Sequence, residues 1–595
     1  MMSLTDLIRS AVKESIKGLY GEIAEPLDIQ ITPTKPEFEG DYTVVFFPLI
    51  KVLKRRPDEL GTQLGNKLLE LYPASFSKFN VIKGFLNLSF TDSLLSDFLR
   101  ENYANSSFGI LPSNGKTVMV EYASPNTNKP IHLGHLRNIF LGWSMAEILE
   151  ANGFKVIKSS IINDRGIHIC KSMIAWQMFA NGATPESTHT KGDHFVGNYY
   201  VRFNDVYQEQ IAALVAEGMD KKQAERDAPI MKEAQEMLVK WEQGDEEVRS
   251  LWATMNGWVY KGFDETFKRI GIGFDKVYYE SDTYLLGKDY VKEGLEKNIL
   301  FKKEDGSVWI DLNEVKLDEK LLLRGDGTSV YITQDIGLAV QKFEEYSLEK
   351  SIYVIGDEQL HHMKVLKEIC RKLGFGFADA IYHLSYGMVE LTTGKMKSRE
   401  GTVVHADDIV EEMVQTAAAH TAELGKVEGT TEEDLKALYE TLGLGAMKFY
   451  LLRVDPKKRM LFDPKESIDF HGFTGPFVQY TYARIKSILR KAAVSAETIS
   501  FSKSDSLLPL ERQLMLLLET YPNVLADSAR EVNASLVANY AFSLAQLFNS
   551  FYAEHSVLKA ENNEKQQLRL ALSLFTANVL KSALKMLGIN APERM

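Results

Sequence analysis

The sequence predicts a multidomain α/β protein built around a doubly wound parallel sheet. The chain has 595 residues, which is too long for one hydrophobic core, so three or four domains are expected. Short apolar runs alternate with helical segments through its middle part, and this pattern is typical of a parallel sheet flanked by helices. From about residue 407 onward nearly every segment is helical, which predicts a C-terminal helix bundle.

The N-terminal part, residues 1 to about 111, predicts a small α+β domain. Apolar residues recur at helical spacing between Leu4 and Leu19, which indicates an amphipathic helix and not the continuous apolar core of a signal peptide. The alternating segment 85–90 predicts a strand. The polar run 112–116, Pro-Ser-Asn-Gly-Lys, predicts the linker to the next domain.

The central domain is predicted over residues 112–406. It opens with a buried-strand pattern at 117–122, followed by a helix from about 133 to 151. A long, charged, helical stretch from about 167 to 290 is interpreted as an insertion. Residues 407–595 form the predicted bundle. Further strands are predicted at 156–162, 330–333, 352–355 and 381–388.

The composition excludes several classes of protein. Hydrophobic residues make up 45% of the chain and no apolar run approaches the ~18 residues of a membrane span. A net charge of −12 argues against a protein that coats nucleic acid indiscriminately, although local basic patches are compatible with it. Cys170 and Cys370 have no neighbouring cysteine at ligand spacing, so neither a disulfide framework nor a structural zinc is expected. We expect a cytoplasmic protein.

The sharpest local motif is Pro-Ile-His-Leu-Gly-His at residues 130–135, directly after a predicted strand and at a helix start. Two imidazoles one turn apart would lie beside the exposed N–H groups of the helix N-terminus, a natural phosphate-binding position. Gly134 allows a purine ring or phosphate to approach the backbone. Two ordinary surface histidines are the alternative, and a metal pair is disfavoured because no third ligand follows at a familiar spacing.

A second motif, Gly-Lys-Met-Lys-Ser-Arg-Glu-Gly at 394–401, is a basic loop bounded by glycines. Such a loop can bring lysines onto a triphosphate and neutralise charge that develops on the leaving pyrophosphate. By itself a basic loop is more often solvated surface.

Together the two motifs resemble those of class I aminoacyl-tRNA synthetases, which carry an HIGH motif early in a Rossmann-type domain and a KMSKS loop at its end. The resemblance implies that His132, His135 and Lys395 are catalytic and stabilise the ATP phosphates in the transition state. His362 could line the nucleotide pocket or be a plain polar helix residue. The implied ATP-binding residues are Gly134, Lys395, Met396, Lys397, Ser398 and His362.

The segments around these motifs are similar to those of arginyl-tRNA synthetases. They are Glu-Tyr-Ala-Ser-Pro-Asn-Thr-Asn-Lys-Pro at 121–130, Tyr-Ile-Thr-Gln-Asp-Ile-Gly at 331–337, Gly-Phe-Thr-Gly-Pro-Phe-Val-Gln-Tyr at 472–480, Pro-Glu-Arg-Met at 592–595, and two N-terminal segments at 40–42 and 84–87. The N-terminal segments resemble the family's extra domain, which contacts the tRNA elbow. The resemblance runs over nearly the whole chain. It implies that L-arginine is activated to arginyl-adenylate and transferred to the 3′ end of arginine tRNA, with release of AMP and pyrophosphate.

The residue chemistry agrees with arginine as the substrate. A guanidinium group prefers planar, paired carboxylate acceptors, and Glu121 and Asp335 lie at predicted strand ends, where open sheets bind ligands. Alternatively, Asp335 caps the helix over 336–343 and Glu121 pairs with a structural arginine. By resemblance the guanidinium contacts are Asp335, Tyr331 and Glu121, and the α-amino and carboxylate contacts are Asn126, Ser124 and Gln359.

One departure concerns the basic loop, where Ser398 stands in the place of the family's second lysine. Arginyl enzymes without that lysine tend to carry one just before the HIGH motif, and Lys129 has this position. Either Lys129, which we count among the catalytic candidates, or Lys397 could supply the missing charge.

A second departure is Asn-Asp-Arg-Gly at 163–166, which resembles the family's Gly-Asp-Trp-Gly turn. Asp164 and Gly166 are expected to form the turn. Arg165 replaces the aromatic residue, and the sequence assigns it no role.

The predicted contacts with tRNA lie in the C-terminal region. Arg484 and Lys491 are seven residues apart and share a helix face, with Tyr480 one turn before Arg484. Tyrosines among cations, Tyr482 included, suit stacking on splayed anticodon bases; a solvated basic face with tyrosines packed in the bundle is the alternative. Arg453 could contact phosphates of the tRNA stem.

The partners expected from the resemblance are ATP with Mg²⁺, L-arginine and arginine tRNA, with the chain as a monomer. Another class I synthetase is the nearest rival, and the cysteinyl enzyme is disfavoured because its zinc ligands are missing. A non-catalytic RNA-binding relative is disfavoured because His132, His135 and Lys395 are all present.

Overall fold

The structure is a computed structural model that describes residues 4–21, 29–35, 37–391, 404–424, 431–502, 504 and 506–595. The predicted basic loop, with Lys395, Met396, Lys397 and Ser398, lies outside the described residues.

The N-terminal part forms a four-stranded antiparallel sheet in the order β1-β2-β4-β3, packed with helices. The first helix buries Leu4, Ile8, Val12 and Ile16 at helical spacing, so the predicted amphipathic helix is confirmed, as is the strand at 85–90. The elements are α1 Leu4–Tyr20, β1 Gln30–Pro33, β2 Tyr42–Val45, α2 Phe47–Leu53, α3 Pro57–Leu71, β3 Phe76–Ile82, β4 Phe85–Phe90 and α4 Asp92–Asn102.

The central part opens with strand, helix and strand, as predicted, and continues with a run of helices. All but a few residues of the helix Leu133–Ala151 are buried, because this helix packs between the sheet and the C-terminal bundle. These elements are β5 Thr117–Glu121, α5 Leu133–Ala151, β6 Lys155–Ile162, α6 Ile167–Phe179, α7 Pro185–Thr188, α8 Gly192–Ala216, α9 Lys221–Asp227, α10 Pro229–Gln243 and α11 Glu246–Arg269.

The rest of the central part corrects two predictions. The predicted strand 330–333 is wrong: it enters a helix whose buried residues Ile332, Ile336, Ala339 and Phe343 follow helical spacing. The predicted insertion 167–290 contains a strand at 276–279, and short strands from 300 to 323 form an antiparallel sheet that we did not predict. The elements are β7 Lys276–Tyr279, α12 Glu280–Thr283, α13 Lys288–Glu296, β8 Leu300–Lys302, β9 Val308–Asp311, β10 Glu319–Leu323, α14 Tyr331–Tyr346, β11 Lys350–Gly356, α15 Leu360–Lys372, β12 Ile381–Tyr386 and β13 Val389–Leu391.

The central sheet has the order β12-β11-β5-β6-β7, and every pairing in it is parallel. The predicted doubly wound sheet is therefore confirmed. Because strand order reverses on either side of β5, the carboxyl ends of β5 and its neighbours form the crevice in which such sheets bind ligands.

The C-terminal part is a helix bundle, as predicted, with one short strand, β14, that pairs parallel with β13. Its helices bury rows of apolar residues, such as Leu568, Leu572 and Phe575 on the last helix. The elements are α16 Ala406–Leu424, α17 Glu432–Leu452, β14 Met460–Phe462, α18 Pro464–Ser467, α19 Gly475–Ala492, α20 Pro509–Glu519, α21 Tyr521–Glu531, α22 Ser535–Glu554 and α23 Asn563–Met586. The predicted fold class is confirmed, and the predicted domain boundaries remain predictions.

A buried arginine on α5 fixes the central sheet against the bundle. Arg137 has no exposed surface, and its guanidinium donates to the carbonyl oxygens of Gly387 at 2.5 Å, Pro456 at 3.3 Å and Asp455 at 3.4 Å. Burial lowers the pKa of Arg137 to about 10, and the group stays charged at neutral pH.

Among the described helices, none is both long enough and apolar enough to span a membrane.

Candidate active site

His132 and His135 meet at the N-terminus of α5. Their rings are 3.8 Å apart, and the backbone N–H of His132 donates to Nδ1 of His135 at 3.2 Å. A ring nitrogen that accepts a hydrogen bond carries no proton, so a neutral His135 has its hydrogen on Nε2. That N–H group is available to a ligand at the helix N-terminus.

Both histidines are neutral at physiological pH. Burial, followed by the charges of Lys129 and His405, lowers the pKa of His132 to about 3. Burial, His132 and Lys129 hold the pKa of His135 well below its usual range. The ammonium of Lys129 therefore lies close enough to act on both rings.

Buried polar atoms without a partner collect in this segment. Among the described residues, nothing hydrogen-bonds Nδ1 of His132, Oγ1 of Thr127 or Oδ1 of Asn128. Buried polar groups are normally paired, so three such atoms within six residues leave room for hydrogen bonds from a polar ligand or from ordered water.

The loop between β5 and α5 is held by one buried amide. Ala123 has a positive φ of 56°, and its N–H donates to Oδ1 of Asn138 at 2.7 Å. The amide nitrogen of Asn138 donates to the carbonyl of Val354 at 2.5 Å, which links this loop to the end of β11. The predicted residues Ser124 and Asn126 follow directly, with Ser124 exposed and Asn126 bridged to Asn163 after β6.

Asp335, a predicted arginine ligand, contacts His362 directly. Oδ2 of Asp335 lies 2.6 Å from Nε2 of His362, and the carboxylate raises the pKa of that histidine, against the effect of burial. Asp335 is in the second turn of α14, whose N-cap is Val330, so the helix-cap alternative is wrong. His362, predicted to bind the nucleotide, thus contacts a predicted arginine ligand.

The structure adds Glu280, which the sequence analysis missed. Burial, with the charges of Asp164 and Asp335, raises the pKa of Glu280 to about 7, although Arg165 opposes this shift. A bound guanidinium would favour the charged form of Glu280. Glu280 directly follows β7, a position typical of a ligand-binding residue, but that strand lay inside the predicted helical insertion.

Glu121 is turned into the protein. It is 5% exposed, and its Oε2 lies 2.5 Å from Nζ of Lys342, a completely buried lysine on α14. Burial opposes the charge of Lys342, but the Glu121 carboxylate outweighs it and the pKa of Lys342 is raised. Glu121 therefore pairs with a structural cation, as the alternative prediction stated, but this cation is a lysine and not an arginine.

The Asp164 turn joins β6 to the helical insertion. Its carboxylate accepts from Ser281 N at 2.8 Å, Ser281 Oγ at 2.7 Å and Tyr260 OH at 2.8 Å. Gly166 has a φ of 100°, which confirms its predicted use in the turn. Arg165 lies 4.0 Å over the ring of Tyr284 and pairs with Glu242 at 2.7 Å, so it fills the aromatic position as a stacked cation.

The comparisons with known proteins agree over the whole length. Residues 101–463 match the model of the class I tRNA synthetase (R) catalytic domain, residues 6–90 the arginyl-tRNA synthetase N-terminal domain, and residues 478–595 the DALR anticodon-binding domain. The chain belongs to the arginyl-tRNA synthetase family.

Similar proteins support this membership. The arginine–tRNA ligases of Bacteroides fragilis strain YCH46 and Bacteroides thetaiotaomicron are each 50% identical to the chain over 598 residues. Each match covers 100% of this chain and 100% of the relative. The arginyl-tRNA synthetase structure of Thermus thermophilus is 25% identical with a TM-score of 0.82, again over 100% of both chains. That of Plasmodium falciparum, at 20% identity and a TM-score of 0.78, shows the same fold.

In this arginyl-tRNA synthetase family member, part of the predicted tRNA surface is accessible. Tyr480 is 36% exposed, and the guanidinium of Arg484 lies 4.7 Å from its ring and 2.6 Å from Oδ1 of Asn549. Lys491 is exposed in the last turn of α19. Aromatic and cationic groups thus share one face, which is the arrangement predicted for base stacking.

Two of the predicted tRNA residues have other roles. Tyr482 is 2% exposed and packs in the bundle, so its ring cannot stack on a base and that prediction is wrong. Arg453 donates to the carbonyl of Phe473, pairs with Glu466 at 2.8 Å and stacks 4.0 Å over Tyr450. Its side chain is 13% exposed, so the structure gives it a packing role in place of the predicted phosphate contact.

The other predicted arginine contacts lie at the same crevice. Tyr331 is the first residue of α14 and is 73% exposed, and Gln359 is exposed between β11 and α15. Both are free of the burial that encloses Glu121. Their contacts with arginine remain predictions.

The Asp335–His362 pair predicts a pH dependence of arginine binding. Because the pKa of His362 is raised, its protonated form persists towards neutrality and competes with the guanidinium for the carboxylate. We expect the KM for arginine to rise several-fold, roughly, as pH falls through that pKa. Steady-state kinetics between pH 6 and 9 measure this, and His362→Gln should make the profile less steep, leaving the part that comes from protonation of Glu280. An equally steep rise in His362→Gln would contradict it.

Proposed function

We propose that this chain is an arginine–tRNA ligase that works in two steps. In the first step, a carboxylate oxygen of L-arginine attacks the α-phosphorus of ATP, giving arginyl-adenylate and pyrophosphate. In the second, a hydroxyl of the terminal tRNA ribose attacks the arginyl carbonyl carbon and AMP leaves. Family membership over the full length supports this reaction.

The observation that carries the proposal is the joint presence of a phosphate-binding and a guanidinium-binding chemistry at one sheet edge. The neutral imidazoles of His132 and His135 offer N–H donors beside the N-terminus of α5, where phosphate oxygens are favoured. The carboxylates of Asp335 and Glu280 lie in the same crevice and favour a cation. ATP and arginine have these two complementary charges.

The residues act by positioning and charge stabilisation. Oriented donors at a helix N-terminus stabilise the charge that grows on the phosphates as the α-phosphorus is attacked. Asp335 and Glu280 hold the guanidinium end, while Ser124, Asn126 and Gln359 hold the α-amino and carboxylate end. Tyr331 borders the guanidinium.

Lys395 acts with the histidines on the leaving pyrophosphate, and Lys129 or Lys397 supplies the charge missing at Ser398. The positive charge of Lys129 lowers the pKa of both histidines, and this proximity to the motif supports Lys129 in this role. Gly134 and the loop residues Met396, Lys397 and Ser398 contact the nucleotide.

Magnesium ion is expected to arrive with the nucleotide. Among the described residues, the group spaced to hold a metal is Asp193, His194 and Asp407, and the ammonium of Lys191 lies 2.7 Å from Asp407 within it. These residues do not fit a resident Mg²⁺, so the phosphates of ATP are its ligands in this proposal. The chain acts as a cytoplasmic monomer with arginine tRNA as its partner.

The direct test is ATP–pyrophosphate exchange with each standard amino acid, with and without tRNA. Of the standard amino acids, we expect only arginine to support exchange. We expect this exchange only when arginine tRNA is present, because the binding energy of the tRNA completes the site. A non-cognate tRNA is the control.

Each other outcome has a clear meaning. Exchange with a different amino acid would assign another class I enzyme. Tight tRNA binding without exchange would indicate a non-catalytic relative. Equal exchange with and without tRNA would disprove the coupling and leave the enzyme assignment intact.

A further inference from the structure

The chain that enters α16 runs directly along the histidine motif. His405 and His132 form an antiparallel bridge, and the N–H of Ala406 donates to the carbonyl of Ile131 at 2.8 Å. The position of the His132 backbone is thus tied to residues 405 and 406.

The next residue, Asp407, is fixed by two helices of the helical insertion. Its carboxylate accepts from Nζ of Lys191 at 2.7 Å, Nε2 of His194 at 2.9 Å and Oγ1 of Thr266 at 3.0 Å. Burial alone would raise the pKa of Asp407, but the hydrogen bonds from His194 and Lys191 hold it well below its usual range. We call Lys191, His194, Thr266 and Asp407 the Asp407 clasp.

The same end of α8 also supports the segment before His132. A Cβ atom at Gly197 would stand 2.7 Å from Cδ of Pro130, so this glycine is needed for the close approach. The ring of His405 packs edge-on against His194, with centroids 4.6 Å apart. The insertion therefore touches both strands of the bridge, at Pro130 and at His405.

The clasp is better explained as a support than as a metal site. Lys191 lies 3.4 Å from the fully buried carboxylate of Asp193 and 2.7 Å from Asp407, so its ammonium already supplies the positive charge between them. A cation would have to displace it against both hydrogen bonds.

We propose that Asp407 is a positioning residue that holds the 405–406 backbone, and through it His132, in place by anchoring to the helical insertion. The inference rests on the proposed function for its kinetic consequence. Misplacing a reacting group by 1 Å can cost about 10²-fold in rate, so partial loss of this support should lower turnover measurably.

The test uses the full-length chain with Asp407→Asn, compared with Glu412→Gln, an exposed carboxylate on the same helix that loses the same charge. In Asp407→Asn we expect the Ala406 amide to exchange its hydrogen about tenfold faster than in the control, because its bond to Ile131 opens more often. We also expect kcat for tRNA charging, per titrated active site, to fall about tenfold while the KM for arginine stays within about twofold.

Two further variants keep the test decisive if Asp407→Asn folds poorly. Thr266→Val removes the hydroxyl that contacts both Asp407 and Lys191, with little change in shape, and should show the same effects more weakly. Lys191→Met combined with Asp407→Asn should be no worse than the more damaging single change, because both act through one cluster.

The outcomes separate the clasp from the proposed function. Unchanged Ala406 exchange in Asp407→Asn would overturn the clasp, whatever the activity. Faster exchange with a kcat equal to that of Glu412→Gln would overturn the positioning role. A wild-type chain that fails to charge arginine tRNA would overturn the proposed function, while the exchange measurement would still decide the clasp.

Discussion

His132→Ala and His135→Ala are each expected to lower turnover by about 10²–10³, the range for removing one oriented transition-state donor. The reason lies in the hydrogen-bond arrangement: the main-chain N–H of His132 occupies Nδ1 of His135, so the hydrogen of the neutral ring is on Nε2, from which it can be donated to a phosphate. The arginine dissociation constant should barely change. Single-turnover kinetics measures the rate, and equilibrium binding measures the affinity.

The structure sharpens this experiment with a graded variant. His135→Gln places an amide N–H near the position of Nε2 but loses the acceptor for His132, so it should retain more activity than His135→Ala. His189→Asn is a suitable control, because His189 is exposed, lies on the helical insertion and has a left-handed φ of 50° that asparagine tolerates. Loss of arginine binding with an unchanged rate for bound substrate would refute the catalytic role.

Asp335→Asn is expected to weaken arginine binding by about 10²-fold or more, because a charge-assisted contact with the guanidinium becomes a neutral one. His362, 2.6 Å away, would also lose its charged partner, so the pH dependence of arginine binding should flatten in the same variant. ATP affinity should hold. The measurement is arginine and ATP binding by calorimetry.

Glu345→Gln provides the matched control for Asp335→Asn. Glu345 is on the same helix, at its other end, and its carboxylate bonds Tyr278 and lies outside the predicted pocket. A normal arginine affinity in Asp335→Asn would leave Asp335 as a partner of His362 only. The guanidinium site would then be assigned to Glu280.

Short-range patterns predicted α1, α5, four of the five strands of the parallel sheet and the histidine motif, because each is encoded by neighbouring residues. Helical spacing predicted α1, and the apolar pattern at 117–122 predicted the strand before His132. Helical spacing also indicates that Tyr482 is buried, because it belongs to one apolar stripe of α19 with Val478, Ile485 and Leu489.

Partner identity, in contrast, was decided only by the tertiary structure. Glu121 and Lys342 are 221 positions apart in the chain, and His194 and Asp407 are 213 apart. No local pattern indicates which distant charge a carboxylate will meet, because packing of whole elements brings the two together. The sequence by itself determined the family, the fold class and the residue types at the crevice. Tertiary packing determined that Glu121 forms an ion pair with a buried lysine. It also placed Asp335 beside His362 and Glu280, because the packing of distant elements sets such contacts.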